Sequence, residues 1–253
     1  MTAILNDEAL LNGLIDRRRA CGGDRHDEVW EGVYVMSPPA NNEHQELIDL
    51  MRLGVFGGSF DPVHYGHLLL AELCREACEL NEVVFVPAAA PPHKRQRELA
   101  PDKHRVEMLK LAIAGHGAFR VSTAEIDRGG VSYSVDTLAA LRGEHPDAEL
   151  FFLMGADSLA DLPTWREPAR ICELAIPVVV ARRGFPPPDL SSLESIVSPD
   201  RLAGIHRFRV DIPLIELSST EIRRRVREGR SIRFQTPRAV ERYIQTHELY
   251  GRA

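Results

Sequence analysis

The sequence is poor in the features that mark secreted, membrane-spanning and nucleic-acid-binding chains. It has four cysteines in 253 residues, and only Cys74 and Cys78 are close, one helical turn apart, with Cys21 and Cys172 distant. Such sparse thiols exclude a disulfide framework and fit buried thiols in a reducing compartment. No CxxC pair or second ligand cluster accompanies Cys74 and Cys78, which argues against a metal site there. No apolar run approaches the roughly 20 residues that span a bilayer, and the start lacks the basic-then-apolar order of a signal peptide, so a cytoplasmic address is expected. Excess positive charge is also missing. The net charge of −6 belongs to residues 1–50, where ten acids face four arginines, while the remaining acids and bases balance at 27 each. A neutral body lacks the basic face of a broad nucleic-acid binder, so any affinity for phosphate must come from a local site.

A hydrophobic content of 44% supports a sizeable core. From Arg52 onward, short β-branched or apolar runs alternate with amphipathic stretches. The strand candidates are 52–56, 82–87, 119–123, 149–155 and 176–182, with 206–210 weaker. Helices are expected near 66–80, 102–115, 134–144 and 166–173, and two more close the chain. This alternation implies right-handed crossovers, hence a doubly wound α/β domain: a Rossmann-like parallel sheet with a small C-terminal helical region. In such sheets the ligand crevice lies at the carboxyl ends of the strands. The segments 87–101 and 184–200 read as irregular surface loops, the first charged enough to be a lid. There is no internal repeat and no low-complexity tract. The domain is expected to start at Met51, with residues 1–50 as an appendage.

Two stretches carry chemistry. "GVFGGSFDPVHYGHL" (54–68) runs from a strand into a helix. Gly57 and Gly58 allow a sharp turn and leave main-chain amides uncovered, and the helix entrance beyond them offers N–H groups and partial positive charge to an anion. His64 and His67, three apart around Gly66, place two imidazoles on one side of that entrance. Near the other end, Ser218 followed by Glu221 in "LSSTEIRRRVREG" (217–229) is a capping-box signal for a second helix start. There the Ser219 and Thr220 hydroxyls and the planar guanidinium of Arg223 suit phosphate oxygens. Arg224, Arg225, Arg227 and Arg230 read as a solvated face.

With both stretches present, residues 51–253 resemble the HxGH-type nucleotidyltransferase family. Within it they resemble the nicotinate-nucleotide adenylyltransferases, through "PPHK" (91–94), "HRVEMLKLAI" (104–113), "SYSVDTL" (132–138), "GADSL" (155–159), "PTW" (163–165), "RRG" (182–184) and "YIQTHELY" (243–250). HxGH alone is shared with pantetheine-phosphate and other cytidylyl or adenylyl transferases, and the ordered set is narrower. The resemblance implies ATP and nicotinate mononucleotide as partners, with Mg²⁺ as cofactor held mainly by the ATP phosphates. It implies no covalent enzyme intermediate. The implied catalytic residues are His64, His67 and Arg223. Gly57, Gly58, Ser59, Phe60, Ser218, Ser219 and Thr220 would line the ATP, and Asp157 would meet ribose hydroxyls. His93, Lys94, Tyr133, Ser134, Trp165 and Arg183 would take the mononucleotide, with Trp165 stacked on the pyridine ring. Plainer roles stay open: Trp165 as a core aromatic, Asp157 as a helix cap, Lys94 as a solvated loop charge. Arg166 departs from the family's habit of an aromatic residue after the Trp.

Rival readings are a sister enzyme using nicotinamide mononucleotide or phosphopantetheine, and a catalytically silent nucleotide-binding regulator. Homo-oligomerisation is left open. Separately, "DEVWEGVYVMSPPANNEHQELI" (27–48) resembles the opening of the Uma2-type restriction-endonuclease-like family. The nuclease core that should follow is replaced at Met51, so this segment is expected to be a fusion remnant or an overlong start, without activity.

Overall fold

A computed structural model describes residues 28–30, 33–35, 51–90, 99–182, 190–213 and 215–251. The chain divides into two compact units, Met1–Asp49 and Leu50–Ala253. In the first, β1 (Glu28–Trp30) pairs antiparallel with β2 (Val33–Val35). The rest of that unit, and most of the Uma2-like stretch, lies outside the described residues.

The second unit is built on six parallel strands: β3 (Arg52–Gly58), β4 (Glu82–Pro87), β5 (Phe119–Val121), β6 (Glu149–Gly155), β7 (Ile176–Arg182) and β8 (Arg209–Ile212). Their order in the sheet is β5-β4-β3-β6-β7-β8, so the winding reverses between β3 and β6. Helices α1 (Tyr65–Ala77), α2 (Asp102–Ile113), α3 (Ala124–Arg128), α4 (Ser134–Glu144), α5 (Ala156–Asp161), α6 (Pro168–Leu174), α7 (Pro199–Arg207), α8 (Ser219–Arg227) and α9 (Arg238–Thr246) complete the unit. The doubly wound parallel sheet and the closing helical pair agree with the sequence reading.

The four inner strands β3, β4, β6 and β7 are buried on both faces, and their side chains alternate between two cores. Val83 and Phe85 of β4, Phe151 and Leu153 of β6, and Ile176, Val178 and Val180 of β7 pack toward α1, α2, α8 and α9. Val84 and Val86, Leu150, Phe152 and Met154, and Val179 pack toward α4, α5, α6 and α7. This two-sided burial explains why the strands read as continuous apolar runs. Cys74, Cys78 and Cys172 are buried free thiols in these cores. Burial pushes Cys78 and Cys172 up to about 11 and Cys74 higher still, so all three stay protonated.

The register creates the crevice. β3 pairs with β4 to its last residue, Gly58 opposite Pro87, but with β6 only as far as Val55 opposite Phe152. Beyond Val55 the two central strands part, and Phe56–Gly58 form one wall of the gap that opens at the reversal point.

Three helices fell outside the sequence expectation. α3 and α5 have 5 and 6 residues, too short for a 3.6-residue period to declare itself. α7 begins at Pro199, with the Ser198 side chain accepting from the Arg201 amide, so a proline that read as part of an irregular stretch occupies a helix first turn. The last strand is Arg209–Ile212 rather than 206–210, because His206 and Arg207 finish α7.

Since both cores, among the described residues, are filled from residues after Leu50, we expect a chain starting at Met51 to melt as one transition within a few degrees of the full chain, roughly the scatter of sub-kcal/mol changes. Calorimetry of the two forms checks this, and loss of the transition would tie residues 1–50 to the fold.

Candidate active site

The loop after β3 determines the site, and its main chain is held from outside. The fully buried Arg105 of α2 donates from Nη1 to the Ser59 carbonyl at 2.9 Å and from Nε to the Ala100 carbonyl at 3.1 Å. Arg223 of α8 donates to the Asp61 carbonyl. Ser219 Oγ donates to the Pro62 carbonyl at 2.8 Å, and Thr236 Oγ1 to the Val63 carbonyl at 2.7 Å. The amide of Tyr65 donates to the Gln235 carbonyl at 3.2 Å. The loop thus lacks a ladder of its own, and side chains from both ends of the domain supply its hydrogen bonds.

These contacts bring together the entrances of α1 and α8. His64 is the N-cap residue of α1, in extended backbone. Its ring stacks on His67 with centroids 3.7 Å apart and planes 20° from parallel. A side-chain carbon on Gly66 would meet the His64 ring at 3.0 Å, so glycine between the histidines permits the stack. His67 is wedged on Phe60, centroids 5.1 Å apart, and its Nδ1 accepts from the His64 amide at 3.2 Å. A neutral His67 therefore carries its proton on Nε2, the donor form of that nitrogen. His64 is 6% exposed, and burial lowers its pKa to about 4, so it is uncharged at neutral pH.

On the other side of β3 lies a cavity of about 370 Å³. Its lining includes Gly57, Gly58 and Ser59 from the end of β3, Tyr133, Ser134 and Trp165, and the charged Glu125 and Arg166. Tyr133 caps α4, whose first turn, beginning at Ser134, meets the cavity. Trp165 packs edge-on against Phe152, so its ring is at once a core neighbour and a cavity wall. The Arg166 guanidinium lies 4.9 Å from the Tyr133 ring centroid. Glu125 Oε1 accepts from Thr137 Oγ1 at 2.5 Å, tying α3 to α4.

The structure gathers most of the sequence-derived candidates but not all in the expected manner. Phe60, with φ 45°, turns its ring into the core among Phe56, Phe85 and His67, so only its main chain faces outward. The Ser219 hydroxyl proton is engaged by Pro62, which leaves its amide as the donor toward the site. Ser218 caps α8 through the Glu221 amide, but the Glu221 carboxylate turns to Arg224, so the capping box closes on one side only. Thr220 is exposed in the first turn of α8, where its Oγ1 accepts from Arg223 Nη2 at 3.4 Å. Asp157 stands in the first turn of α5 after β6. Its side chain, with His93, Lys94 and Arg183, lies outside the described residues.

Sequence reasoning passed over Asp61, Arg105, Glu125, Thr236 and Tyr250. Asp61 is 1% exposed, accepts from Tyr250 Oη at 2.5 Å and faces Arg223 Nη1 at 3.5 Å. Among the described residues, buried side-chain polar atoms without a hydrogen-bond partner include Asp61 Oδ2, His64 Nδ1 and Glu125 Oε2. Of these, Glu125 lines the cavity and Asp61 and His64 belong to the loop between β3 and α1, and His116 Nδ1 and Gln235 Oε1 are likewise without a partner.

Comparisons with known proteins bear on the family and the fold. A sequence model of the family described as cytidylyltransferase-like matches residues 55–225. The chain is 48% identical over 201 residues to a probable nicotinate-nucleotide adenylyltransferase of Thermomicrobium roseum, covering 79% of this chain and 92% of that protein. It is 48% identical over 200 residues to the corresponding protein of Thermus thermophilus, covering 79% and 100%. Among solved structures, the nicotinic acid mononucleotide adenylyltransferase of Plasmodium falciparum complexed with NaAD matches with a TM-score of 0.62 at 19% identity, covering 79% of this chain and 97% of that one. At that identity the likeness concerns the fold.

The buried, neutral His64 makes a stability prediction. Its folded pKa lies below the unfolded value of 6.5, so the unfolded state protonates first as pH falls. Relative to His64→Gln, the wild type should lose up to about 3 kcal/mol between pH 6.5 and pH 4 and change no further below that. Denaturant melts of the two proteins at pH 7.5, 5.5 and 4.5 read this difference, and parallel pH curves would contradict it.

Proposed function

The chain belongs to the cytidylyltransferase-like family and, within it, to the nicotinate-nucleotide adenylyltransferases, and from this premise we propose how its crevice carries out the reaction. The enzyme transfers the adenylyl group of ATP to nicotinate mononucleotide in the biosynthesis of NAD. A 5′-phosphate oxygen of the mononucleotide attacks the α-phosphorus of ATP. The bond from that phosphorus to the bridging oxygen breaks, and pyrophosphate leaves with the electron pair, giving nicotinate adenine dinucleotide. The observation that carries this reading is the meeting, along one strand end, of the two helix entrances with the Trp165 cavity.

The protein's work is alignment and charge neutralisation, since the nucleophile arrives already ionised. His67 Nε2 donates to the phosphate at which negative charge grows. Its ring is held by the His64 amide, the His64 ring and Phe60, so the donor needs no reorganisation. The amides after Ser218 and the guanidinium of Arg223 receive the β and γ phosphates, while Gly57 and Gly58 let the chain of phosphates pass close to the main chain. Asp157 meets ribose hydroxyls from the first turn of α5. The mononucleotide lies in the cavity, its ring against Trp165 and its carboxylate toward Ser134 and the amides opening α4, with Arg166 adding positive charge. His93, Lys94 and Arg183 are assigned to the mononucleotide by family resemblance alone.

A divalent cation accompanies the triphosphate, and we take it to be Mg²⁺. Among the described residues no group of three or more His, Cys, Asp or Glu side chains could cage a metal. Mg²⁺ characteristically keeps several waters and binds through substrate phosphates. Bound there, it neutralises triphosphate charge. No helix among the described residues is long and apolar enough to cross a membrane. We infer a cytoplasmic setting, a reading supported by the sparse cysteines of the sequence.

Replacing His67 by Ala removes one preorganised donor and should lower turnover by at least about a hundredfold with little change in the melt. A folded variant with near-normal pyrophosphate release would remove His67 from the mechanism.

The acid mononucleotide should be preferred over the amide. A carboxylate gains from donors at the start of α4, whereas the N–H groups of an amide would oppose them. Catalytic efficiencies measured with nicotinate mononucleotide, nicotinamide mononucleotide and phosphopantetheine at fixed ATP and Mg²⁺ test this. Equal values for the first two, or a preference for either alternative, would overturn it.

A further inference from the structure

The C-terminal end of the chain reaches the phosphate loop through one hydroxyl. Tyr250 Oη donates to Asp61 Oδ1 at 2.5 Å, and the other oxygen of that carboxylate, Oδ2, faces Arg223 Nη1 at 3.5 Å. Among the described residues, the only other donor to Oδ1 is the Ala100 amide at 3.4 Å, long for a hydrogen bond. Tyr250 is therefore the close partner that orients the buried carboxylate. The segment that delivers it is wound against backbone preference, for Glu248 and Tyr250 take left-handed φ values of 51° and 63°. Non-glycine residues keep such angles where the surrounding fold imposes them. Burial, with the charge of Asp61 beside it, raises the pKa of the Tyr250 phenol far above its ordinary value, so it remains a donor.

We propose that Tyr250 is a positioning residue for ATP: through Asp61 it sets the guanidinium of Arg223 at the triphosphate. The inference rests on the assignment of Arg223 to the β and γ phosphates. A guanidinium has five N–H donors in a rigid plane. Here the Asp61 carbonyl takes one and Thr220 Oγ1 another, at 3.4 Å. The remainder can serve phosphate while the Asp61 carboxylate stands off at 3.5 Å. Without the tyrosine hydroxyl, Oδ1 loses its close donor inside a buried site, and the nearest cation is Arg223. The carboxylate then turns onto the guanidinium and engages the donors that phosphate requires.

The test is Tyr250→Phe in the full-length protein, which keeps the ring and removes the hydroxyl. Loss of one hydrogen bond acting through a charged pair should weaken MgATP binding, read by calorimetry, and raise the KM for ATP by about five- to tenfold. The KM for nicotinate mononucleotide should stay within about twofold, because that cavity is lined by other residues. A residue that only braced the fold would move both KM values together and lower the melting temperature. In an Arg223→Lys background the same substitution should change ATP affinity by less than about twofold, since the effect runs through the planar fork. Unchanged ATP affinity, parallel shifts in both KM values, or full additivity with Arg223→Lys each overturn the proposal. Wild-type pyrophosphate release with nicotinate mononucleotide tests the acceptor assignment separately, and the ATP titration decides on Tyr250 whichever acceptor serves.

Discussion

The site depends on how the carbonyls of Ser59, Asp61, Pro62 and Val63 are satisfied. A segment that leaves a strand and enters a helix within a few residues can make no ladder of its own, and buried main-chain oxygens without partners cost about 1–3 kcal/mol each. Arg105, Arg223, Ser219 and Thr236 supply the missing donors from α2, the start of α8 and the turn before α9. The contacts that make the loop affordable also bring the α8 entrance beside the α1 entrance. Folding and site assembly are thus one event, and the two helix entrances, far apart in sequence, meet because the loop requires them both.

Charge at the crevice is arranged sparingly. His64 is neutral, and Arg223 is countered by Asp61, so the positive potential at the two helix entrances comes from their free N–H groups more than from full charges. Such donors suit a reaction in which negative charge moves from one phosphate to the next, because fixed dipoles follow it without rearrangement. The acid balance of residues 1–50 and the neutral remainder of the chain fit this arrangement, for the local donors need no basic surface around them.

Much of the fold was legible in the sequence because its signals are local. The apolar runs of β4, β6 and β7 name buried strands directly, and "GGSFDPVHYGH" and "SSTEIR" each announce a strand end or a helix start. What stayed hidden was pairing across distance. Asp61 and Tyr250 are 189 residues apart, and Arg105 and Ser59 are 46 apart, and no periodicity links them. A buried arginine in an otherwise ordinary amphipathic helix reads as a surface charge until the loop it serves is in view. Phe60 went astray for the opposite reason. It sits inside a conspicuous motif, yet its left-handed backbone swings the ring into the core and presents only its main chain to the crevice.

The separation of β3 from β6 explains why chemistry of this type needs the switch point and not merely a strand end. Pairing of β3 with β4 to Gly58 holds one edge of the gap rigid, while release from β6 after Val55 frees three residues whose amides and carbonyls would otherwise be engaged. On one flank of those residues stand the stacked histidines, on the other the Trp165 cavity. On the proposed assignment, the two substrates approach the same strand end from opposite sides, and in-line displacement at a phosphorus between them needs no covalent protein intermediate.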